Sequence, residues 1–458
     1  MDSALRALNR FGLGARIGER RRVDDPRGWL RAQLEGSAPV PSTPSVASPA
    51  AIADAIRAFR MPGQADPQQR QKVRRRLVEI TAAESLAALT ARVMSERPFV
   101  ERLVAFWSNH LCVSTAAKVL VAPLAGSYER DAIRPHVLGR FEDMVLASAR
   151  HPAMLVYLDN FQSIGPNSRG AQRARGRGQR GLNENYAREL LELHTLGVNG
   201  GYTQQDVQEL AKILTGWTVD GLQPASVRGL RRGSSGGPAI GFAYQEPLHE
   251  PGTRTVLGTR YAEAGVGQGE RVIRDLCRHP ATAQFIATKL AVHFVADDPP
   301  AAAVDRIARV FRAKDGDLRA VAAALIDIQE AWIGDTRKFR TPQEWFVAVL
   351  RAVNASEVSE MTLPVLRQLR HPLWAPQSPK GFGDSVQEWA DPDSLLNRAE
   401  LARTFARRLR GSQIDPRGLL DVVDVAASDP LRKLLADDSI APADRVALAI
   451  AGPAFQWR

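Results

Sequence analysis

Apolar residues recur every three or four positions along most of the chain, which is the spacing of one buried helix face. This periodicity predicts an all-α fold, a multi-helix, bundle-like body with long basic loops. Further helices are expected up to the C-terminus beyond those that can be bounded. The bounded helices are predicted at 3–12, 27–35, 50–60, 67–96, 98–112, 126–135, 140–149, 152–158, 268–277, 281–295, 301–312, 317–332 and 342–353.

Residues 183–217 form the most regular segment and predict two helices joined by a turn. Gly197 should end the first helix, because glycine readily adopts the left-handed backbone conformation. Thr203 and Asp206 form a near capping box, which marks the start of the second helix. The apolar face of the first helix is expected to consist of Leu182, Tyr186, Leu190, Leu193 and Leu196.

The polar face of this first helix is the leading candidate site. Glu189 and Glu192 lie three residues apart and could share a proton or a divalent metal. Arg188 could hold an anionic group by two parallel hydrogen bonds. The alternative is a solvated helix face with weak ion pairs, and the segment contains neither HExxH nor ExxH. The candidate catalytic residues are Asp159, Glu184, Asn185, Arg188, Glu189, Glu192 and His194.

Three histidines are candidate metal ligands or bases, besides the two carboxylates. His110 ends an aromatic helix and could meet His194 in space, where either ring could act as ligand or base near neutral pH. His249 lies beside a carboxylate in a Pro/Gly loop, which makes it a better ligand candidate than a histidine in the core. For a histidine at a helix end, the structural alternative is a cap or a buried hydrogen bond. The candidate ligands are therefore Glu189, Glu192, His194, His110 and His249.

Single residues outside the helix pair complete the set. Asp159 closes an apolar helix just before a glycine- and arginine-rich segment, although aspartate is also a common turn residue. Trp217, Trp374 and Trp389 could form a platform on which a sugar ring stacks, with burial in the core as the alternative. Trp107 is a further candidate for substrate binding, together with Arg188 and Trp217. The phrase Lys380-Gly-Phe-Gly is too short for a phosphate-binding loop.

Several segments together resemble the bacterial family known as domain of unknown function 1800. The resemblance covers nearly the whole chain and rests on ALNRFGLGAR, FWSNHLCVS, HPAMLVYLDNFQSIG, NENYARELLELHTLG, RHPATAQFIATKLAVHFVADDPP and PLWAPQSPKGFG. It implies a largely helical protein that is often exported and often encoded beside a sulfatase-like protein, and it implies no reaction. Glu250 departs from the aspartate usual in the family, which weakens any claim of fixed geometry there.

Composition is that of a globular protein, with 44% hydrophobic and 24% charged residues among 458. A chain of this length can bury a large core and could hold two or three domains. We expect an N-terminal helical segment with a Pro/Ser-rich connector at 1–62. A central region at 63–220 carries the helix pair, and a C-terminal helical region follows at 221–458.

The net charge of +11 points to an anionic partner. Because arginine greatly outnumbers lysine and alanine is abundant, the composition indicates a GC-rich coding bias, and the net charge is therefore discounted as a sign of function. Two Gly-rich, basic segments at 165–181 and 220–241 predict mobile loops, either a basic rim over a cleft or surface insertions. Aromatic residues do not interleave their arginines, which argues against nucleic acid as the partner.

Cys112 and Cys277 are the only cysteines, so a disulfide scaffold is excluded. The first twenty residues lack the apolar core of a signal peptide, and no run reaches the roughly 18 apolar residues that span a bilayer. A soluble chain is therefore expected. If the protein is exported, its signal has been removed or it travels with a partner.

Three hypotheses follow for the function. The first is a hydrolase or lyase, metal- or carboxylate-dependent, that acts on a polar polymer or its fragments at the helix pair. The second is a non-catalytic helical scaffold or co-export partner of the sulfatase-like protein, in which the polar face is an ion-pair network. The third is a polyanion-binding module that works through the arginine segments.

Overall fold

The computed structural model describes residues 2–41, 46–60, 66–174, 181–220, 222, 240–333, 336–408 and 414–458. Within these residues the fold is mainly helical, as the periodicity predicts. The α-helices of the first half are α1 (Ser3–Arg6), α2 (Pro26–Ala32), α3 (Pro49–Arg60), α4 (Pro67–Met94), α5 (Pro98–His110), α6 (Ala125–Tyr128), α7 (Phe141–Arg150), α8 (Pro152–Tyr157), α9 (Arg169–Ala174), α10 (Asn185–Glu189) and α11 (Gln204–Ile213).

The second half continues the pattern with long helices followed by shorter ones. They are α12 (Val266–Arg278), α13 (Pro280–Phe294), α14 (Ala301–Ala313), α15 (Leu318–Ile326), α16 (Pro342–Ala352), α17 (Thr362–Gln368), α18 (Val386–Trp389), α19 (Pro392–Arg408), α20 (Pro430–Ala436), α21 (Pro442–Ala451) and α22 (Pro453–Gln456). Short 3-10 helices are Glu19–Arg22, Ala122–Leu124, Arg134–His136, Asn160–Gln162, Glu246–Leu248, Gln329–Ala331 and Pro416–Asp421. The helix predicted over 317–332 is therefore too long, since α15 ends at Ile326.

Three helices contain π-helical turns, at Ala7–Phe11, Glu129–Ile133 and Leu190–His194. A π turn adds one residue per turn and re-aims the side chains that follow it, often at functional positions. In the third case it continues α10, so Leu191 and His194 become buried together with Leu190. The periodicity placed Leu193 on the buried face instead, and Leu193 is only partly buried.

Helix starts follow the local chemistry of the sequence. The phrase Arg-His-Pro-Ala begins both α8 and α13, with proline in the first turn, as expected from its fixed φ. In each case the histidine also caps the helix: Nδ1 of His151 accepts from the backbone N–H of Ala153 at 3.1 Å, and His279 accepts from Ala281 at 3.2 Å. The capping box at Thr203 and Asp206 is confirmed.

Four short strands, which the sequence did not predict, form two antiparallel pairs. β1 (Trp217–Val219) pairs with β2 (Phe242–Tyr244), with Thr218 opposite Ala243. β3 (Arg254–Val256) and β4 (Thr259–Tyr261) form a hairpin. Of the two segments predicted to be mobile loops, 165–181 contains α9, whereas residues 175–180 and most of 220–241 lie outside the described residues.

An apolar core runs through the described residues from Ala4 to Phe455. At its centre, Phe11 packs against Phe99 of α5 and Phe294 of α13, with ring centroids 5.8 and 5.9 Å apart. These contacts join the N-terminal segment, α5 and α13 into one frame. The division at 62 and 220 stays a prediction.

Candidate functional site

A cleft of about 320 Å³ lies between the C-terminal end of α5, one face of α13 and the loop from Pro376 to Ser385. We call it the Lys289 cleft. Its volume is at the lower end of the range for small-molecule sites, which is roughly 300–1,000 Å³. The polar side chains that line the cleft include those of Arg92, Asn109, His110, Cys112, Lys289, His293, Glu344, Lys380 and Asp384.

Asn109 fixes the loop that forms one wall of the cleft. Its Nδ2 donates to the carbonyl of Phe382 and its Oδ1 accepts from the N–H of Phe382, both at 2.8 Å. Gly381 has φ +83°, and a Cβ there would lie 2.5 Å from the backbone oxygen of Asn109. Glycine is therefore required, because any side chain would push the loop off α5. Farther along, Ser114 Oγ donates to the carbonyl of Pro376 at 2.6 Å.

His110 lines the cleft in a defined tautomer. The carbonyl groups at a helix C-terminus lack partners within the helix, and that of His194 accepts a hydrogen bond from Nε2 of His110 at 3.2 Å. Nε2 therefore carries the proton, and Nδ1 holds the lone pair. Nδ1 makes no hydrogen bond within the described part of the chain. Burial, with a smaller contribution from Lys289, holds the pKa of His110 well below its ordinary value, so the ring is neutral.

Two lysines of the cleft have no direct partner. Neither Lys289, half-buried on α13, nor the exposed Lys380 donates a hydrogen bond or forms an ion pair among the described residues. Burial lowers the pKa of the Lys289 ammonium, and Asp384 offsets this only in part, while Lys380 lowers it further. The carboxylates near the cleft therefore do not neutralise Lys289.

Those carboxylates are neutralised from the protein side. His293 Nδ1 lies 2.6 Å from Asp384 Oδ2, and Glu344 contacts Arg458 at 3.2 Å and also Arg102. Burial raises the pKa of Asp384, but His293 and nearby cations outweigh it, so the net shift is downward. Arg102 Nη1 also lies 3.4 Å from His293 Nε2, which leaves His293 without a free nitrogen.

A second buried network supports the floor of the cleft. Glu129 is 2% exposed and contacts Arg92 at 2.9 Å and Arg134 at 3.1 Å. Ser108 and Trp374 donate to the same carboxylate. Burial raises the pKa of Glu129, but the two arginines more than offset this, so its pKa is lowered.. Arg92 is thus committed to Glu129, although it borders the cleft.

The predicted polar face forms a surface ladder beside this cleft. Arg188 lies 3.3 Å from Glu184 and 3.7 Å from Glu192, and all three side chains are between 26 and 38% exposed. Asn185 is exposed. Glu189 has no hydrogen bond or ion pair within the described residues. Burial, and then the like charge of Glu192, raise the pKa of Glu189.

The predicted metal ligands lie in separate places. His194 reaches His110 through its main-chain carbonyl, and its own Nε2 is buried without a partner among the described residues. Burial lowers the pKa of His194 to about 4. His249 donates from Nδ1 to the carbonyl oxygen of Thr215 at 3.0 Å. No group of three or more His, Cys, Asp or Glu side chains in the described ranges could hold a metal ion.

The other predicted residues are held in ion pairs, hydrogen bonds or the core. Asp159 adopts φ +62° and pairs with Lys118 at 2.7 Å. Trp107 and Trp217 are 1 and 0% exposed, so neither presents a ring face to a ligand. Glu250 is buried and accepts two hydrogen bonds from Asn167, each at 2.7 Å, which fixes the turn after Gly165.

Two arginines of the Gly-rich, basic segments lie among the described residues. Arg169 and Arg173 lie on α9. The other arginines of these segments, Arg175, Arg177, Arg180, Arg228, Arg231 and Arg232, lie outside the described residues.

Asn109, Lys289 and Lys380 were not predicted as site residues. Each is unremarkable in its local sequence, since a lysine or asparagine on a helix or loop is usually solvated. One signal could have found them: three segments that carry the family resemblance, namely 106–114, 278–300 and 372–383, meet at this cleft. In the described part of the chain, no helix is both long and apolar enough to cross a membrane.

The fold and the site define a mainly helical protein with a histidine- and lysine-lined cleft beside buried ion-pair networks. Comparison with protein families identifies it further. The family described as "Protein of unknown function (DUF1800)" matches residues 6–457, and the chain belongs to this family. Neither the curated proteins nor the solved structures gave a match.

Proposed function

We propose that the protein is an enzyme, a hydrolase or lyase acting on a polar polymer or its fragments, with its active site in the Lys289 cleft. The observation that carries the proposal is a neutral histidine, His110, whose basic nitrogen is free beside an unpaired lysine in a ligand-sized cleft. A general base needs an available lone pair, and the carbonyl of His194 holds the ring in the required tautomer.

His110 would act as the base in either reaction. In hydrolysis, Nδ1 takes a proton from water as the water oxygen bonds to the substrate atom under attack. The bond from that atom to the leaving oxygen breaks, and the leaving oxygen then takes the proton from Nδ1. In elimination, Nδ1 takes a proton from carbon, and the electron pair of that C–H bond forms the new double bond as the leaving oxygen departs. The positive charge of Lys289 stabilises the negative charge that develops in each case. Among the residues predicted to be catalytic, His194 would contribute as the orienting group.

The test is a screen of acidic and neutral polysaccharide fragments with purified protein. New reducing ends report hydrolysis, and ultraviolet absorbance of a new double bond reports elimination. We expect His110→Gln to lower the rate by about 100- to 10,000-fold, the usual contribution of a general base. His136→Gln, which changes a partly buried histidine outside the cleft, is the matched control.

Thermal unfolding of both variants checks that the fold is intact. If no fragment is turned over, or if His110→Gln retains the full rate while folded, the proposed active site is wrong. The ion-pair ladder of Glu184, Arg188 and Glu192 favours a second candidate function, a non-catalytic helical scaffold for the sulfatase-like partner. Co-purification of that partner with the protein, in the absence of turnover, would support it.

A further inference from the structure

The unpaired ammonium groups of the cleft carry an inference about the substrate. Lys289 and Lys380 approach the cleft from two different elements, α13 and the Pro376–Ser385 loop. The charge of Lys380 lowers the pKa of the Lys289 ammonium group, because like charges repel. No ion pair among the described residues holds these two cations at one cavity, so they cost stability unless a ligand uses them.

The loop that carries Lys380 is held in place rather than left free. Asn109 fixes Phe382 by two hydrogen bonds, and Cys112 Sγ donates to the carbonyl of Pro379 at 3.2 Å. Lys380 therefore projects from a segment anchored on both sides. A positioned ammonium group binds an anion more tightly than a mobile one, since less conformational freedom is lost.

The acids that line the cleft form no ion pair with these lysines among the described residues. Glu344 accepts from the buried guanidinium groups of Arg102 and Arg458, and Asp384 accepts from Nδ1 of the neutral His293. Glu388 accepts from the N–H and hydroxyl of Ser385, which caps α18. The cleft thus offers two positive charges that have no ion-pair partner among the described residues, and Asp384 and Glu388 offset that of Lys289 only in part.

We propose that the Lys289 cleft binds an oxyanion group of the substrate, a carboxylate, sulfate or phosphate, between Lys289 and Lys380. The polar polymer of the proposed function is then an acidic one. That the bound anion belongs to a substrate rests on the proposed function. Anion binding itself can be measured without any turnover.

Titration calorimetry in low-chloride buffer provides the test, with glucuronate, inorganic sulfate and inorganic phosphate as probes. Glucose is the uncharged counterpart of glucuronate. We expect the anions to bind and glucose not to bind, and the preferred anion identifies the substituent. Charge-assisted hydrogen bonds contribute about 1.5–3 kcal/mol, so Lys289→Met and Lys380→Met should each weaken binding by about 10- to 100-fold.

Lys72→Met is the matched control, because Lys72 is an exposed lysine on α4, outside the cleft. Lys380 is also exposed, so its variant should fold even if the Lys289 variant does not. Absence of anion binding overturns the inference, as does equal weakening in the Lys72 variant or unchanged binding in the Lys380 variant.

The two proposals fail in different ways. If anion binding depends on both lysines but no fragment is turned over, the proposed enzyme activity is refuted and the anion site is supported. If uncharged fragments are turned over in a manner that depends on His110 but no anion binds, the enzyme activity is supported and the anion site is refuted.

Discussion

Lowering the pH from about 6.5 to about 4.5 should destabilise the protein, because several histidines are buried in their neutral form. Burial lowers the pKa of His194 from its ordinary 6.5 to about 4, and that of His371 to about 3. A group whose pKa is lower in the folded state binds fewer protons there than in the unfolded chain. Its stabilising effect is complete above pH 6.5 and is lost as the pH falls towards the folded-state pKa.

The magnitude follows from the size of the window. The limiting cost is about 1.36 kcal/mol per pH unit for each histidine, but the unfolded histidine is already half protonated at pH 6.5. The two units therefore cost a little over about 2 kcal/mol each for His194 and His371, and between about 4 and 5 kcal/mol together. His110 and His293 add to this, since burial lowers their pKa as well. Glu84 and Glu189 act in the opposite sense, because burial raises their pKa. A loss of about 4–5 kcal/mol is a large part of typical domain stability.

Urea denaturation followed by circular dichroism, at several pH values across this window, measures the effect. His194→Phe should reduce the slope by about 1 kcal/mol per pH unit, because it removes one titrating group whose Nε2 has no partner among the described residues. A free energy of unfolding that stays constant between these pH values would refute the reasoning. So would an unchanged slope in His194→Phe.

Three further substitutions test a buried ion-pair network, a buried aromatic ring and the surface ladder, each by the free energy of unfolding. Glu344→Gln leaves two buried guanidinium groups without their carboxylate and should lower the free energy of unfolding by about 3–5 kcal/mol. The matched change at an exposed residue, Glu400→Gln, should lower it by less than about 0.5 kcal/mol, and similar values for the two variants would contradict the network. Trp217→Ala should lower the free energy of unfolding by about 3–5 kcal/mol, because it leaves a cavity in the core. An unchanged stability would contradict a role in the core and would make Trp217 a ligand-binding candidate again. Glu184→Gln should cost less than about 1 kcal/mol, because exposed pairs contribute little, and a larger loss would make the ladder a structural element.

The helices were predictable because each has an apolar face of sufficient length. The strands were not, because each has only three residues, too few for an alternating pattern to register. The β3–β4 turn adds a second reason. Leu257 and Gly258 have φ +49° and +75°, a turn that usually selects Asn-Gly, and leucine hides that signal.

The site was predictable only in part. The sequence left open whether His110 and His194 meet. They do so through the main-chain carbonyl of His194, a contact that does not depend on the type of residue at that position. The π turn that ends at His194 depends on packing around the helix rather than on local propensity. Lys289 and Lys380 gain their significance from one another and from Asn109, and only the folded chain brings them together.

The anchoring of the cleft also bears on how the protein folds. Asn109 and Phe382 are separated by 273 residues, so their two hydrogen bonds close a very long loop. Contacts of such sequence separation form late, after the more local helical contacts. During synthesis, α5 is complete long before the segment that carries Lys380 leaves the ribosome. The cleft therefore cannot exist on a growing chain, and its ligand should distinguish finished molecules from partly folded ones.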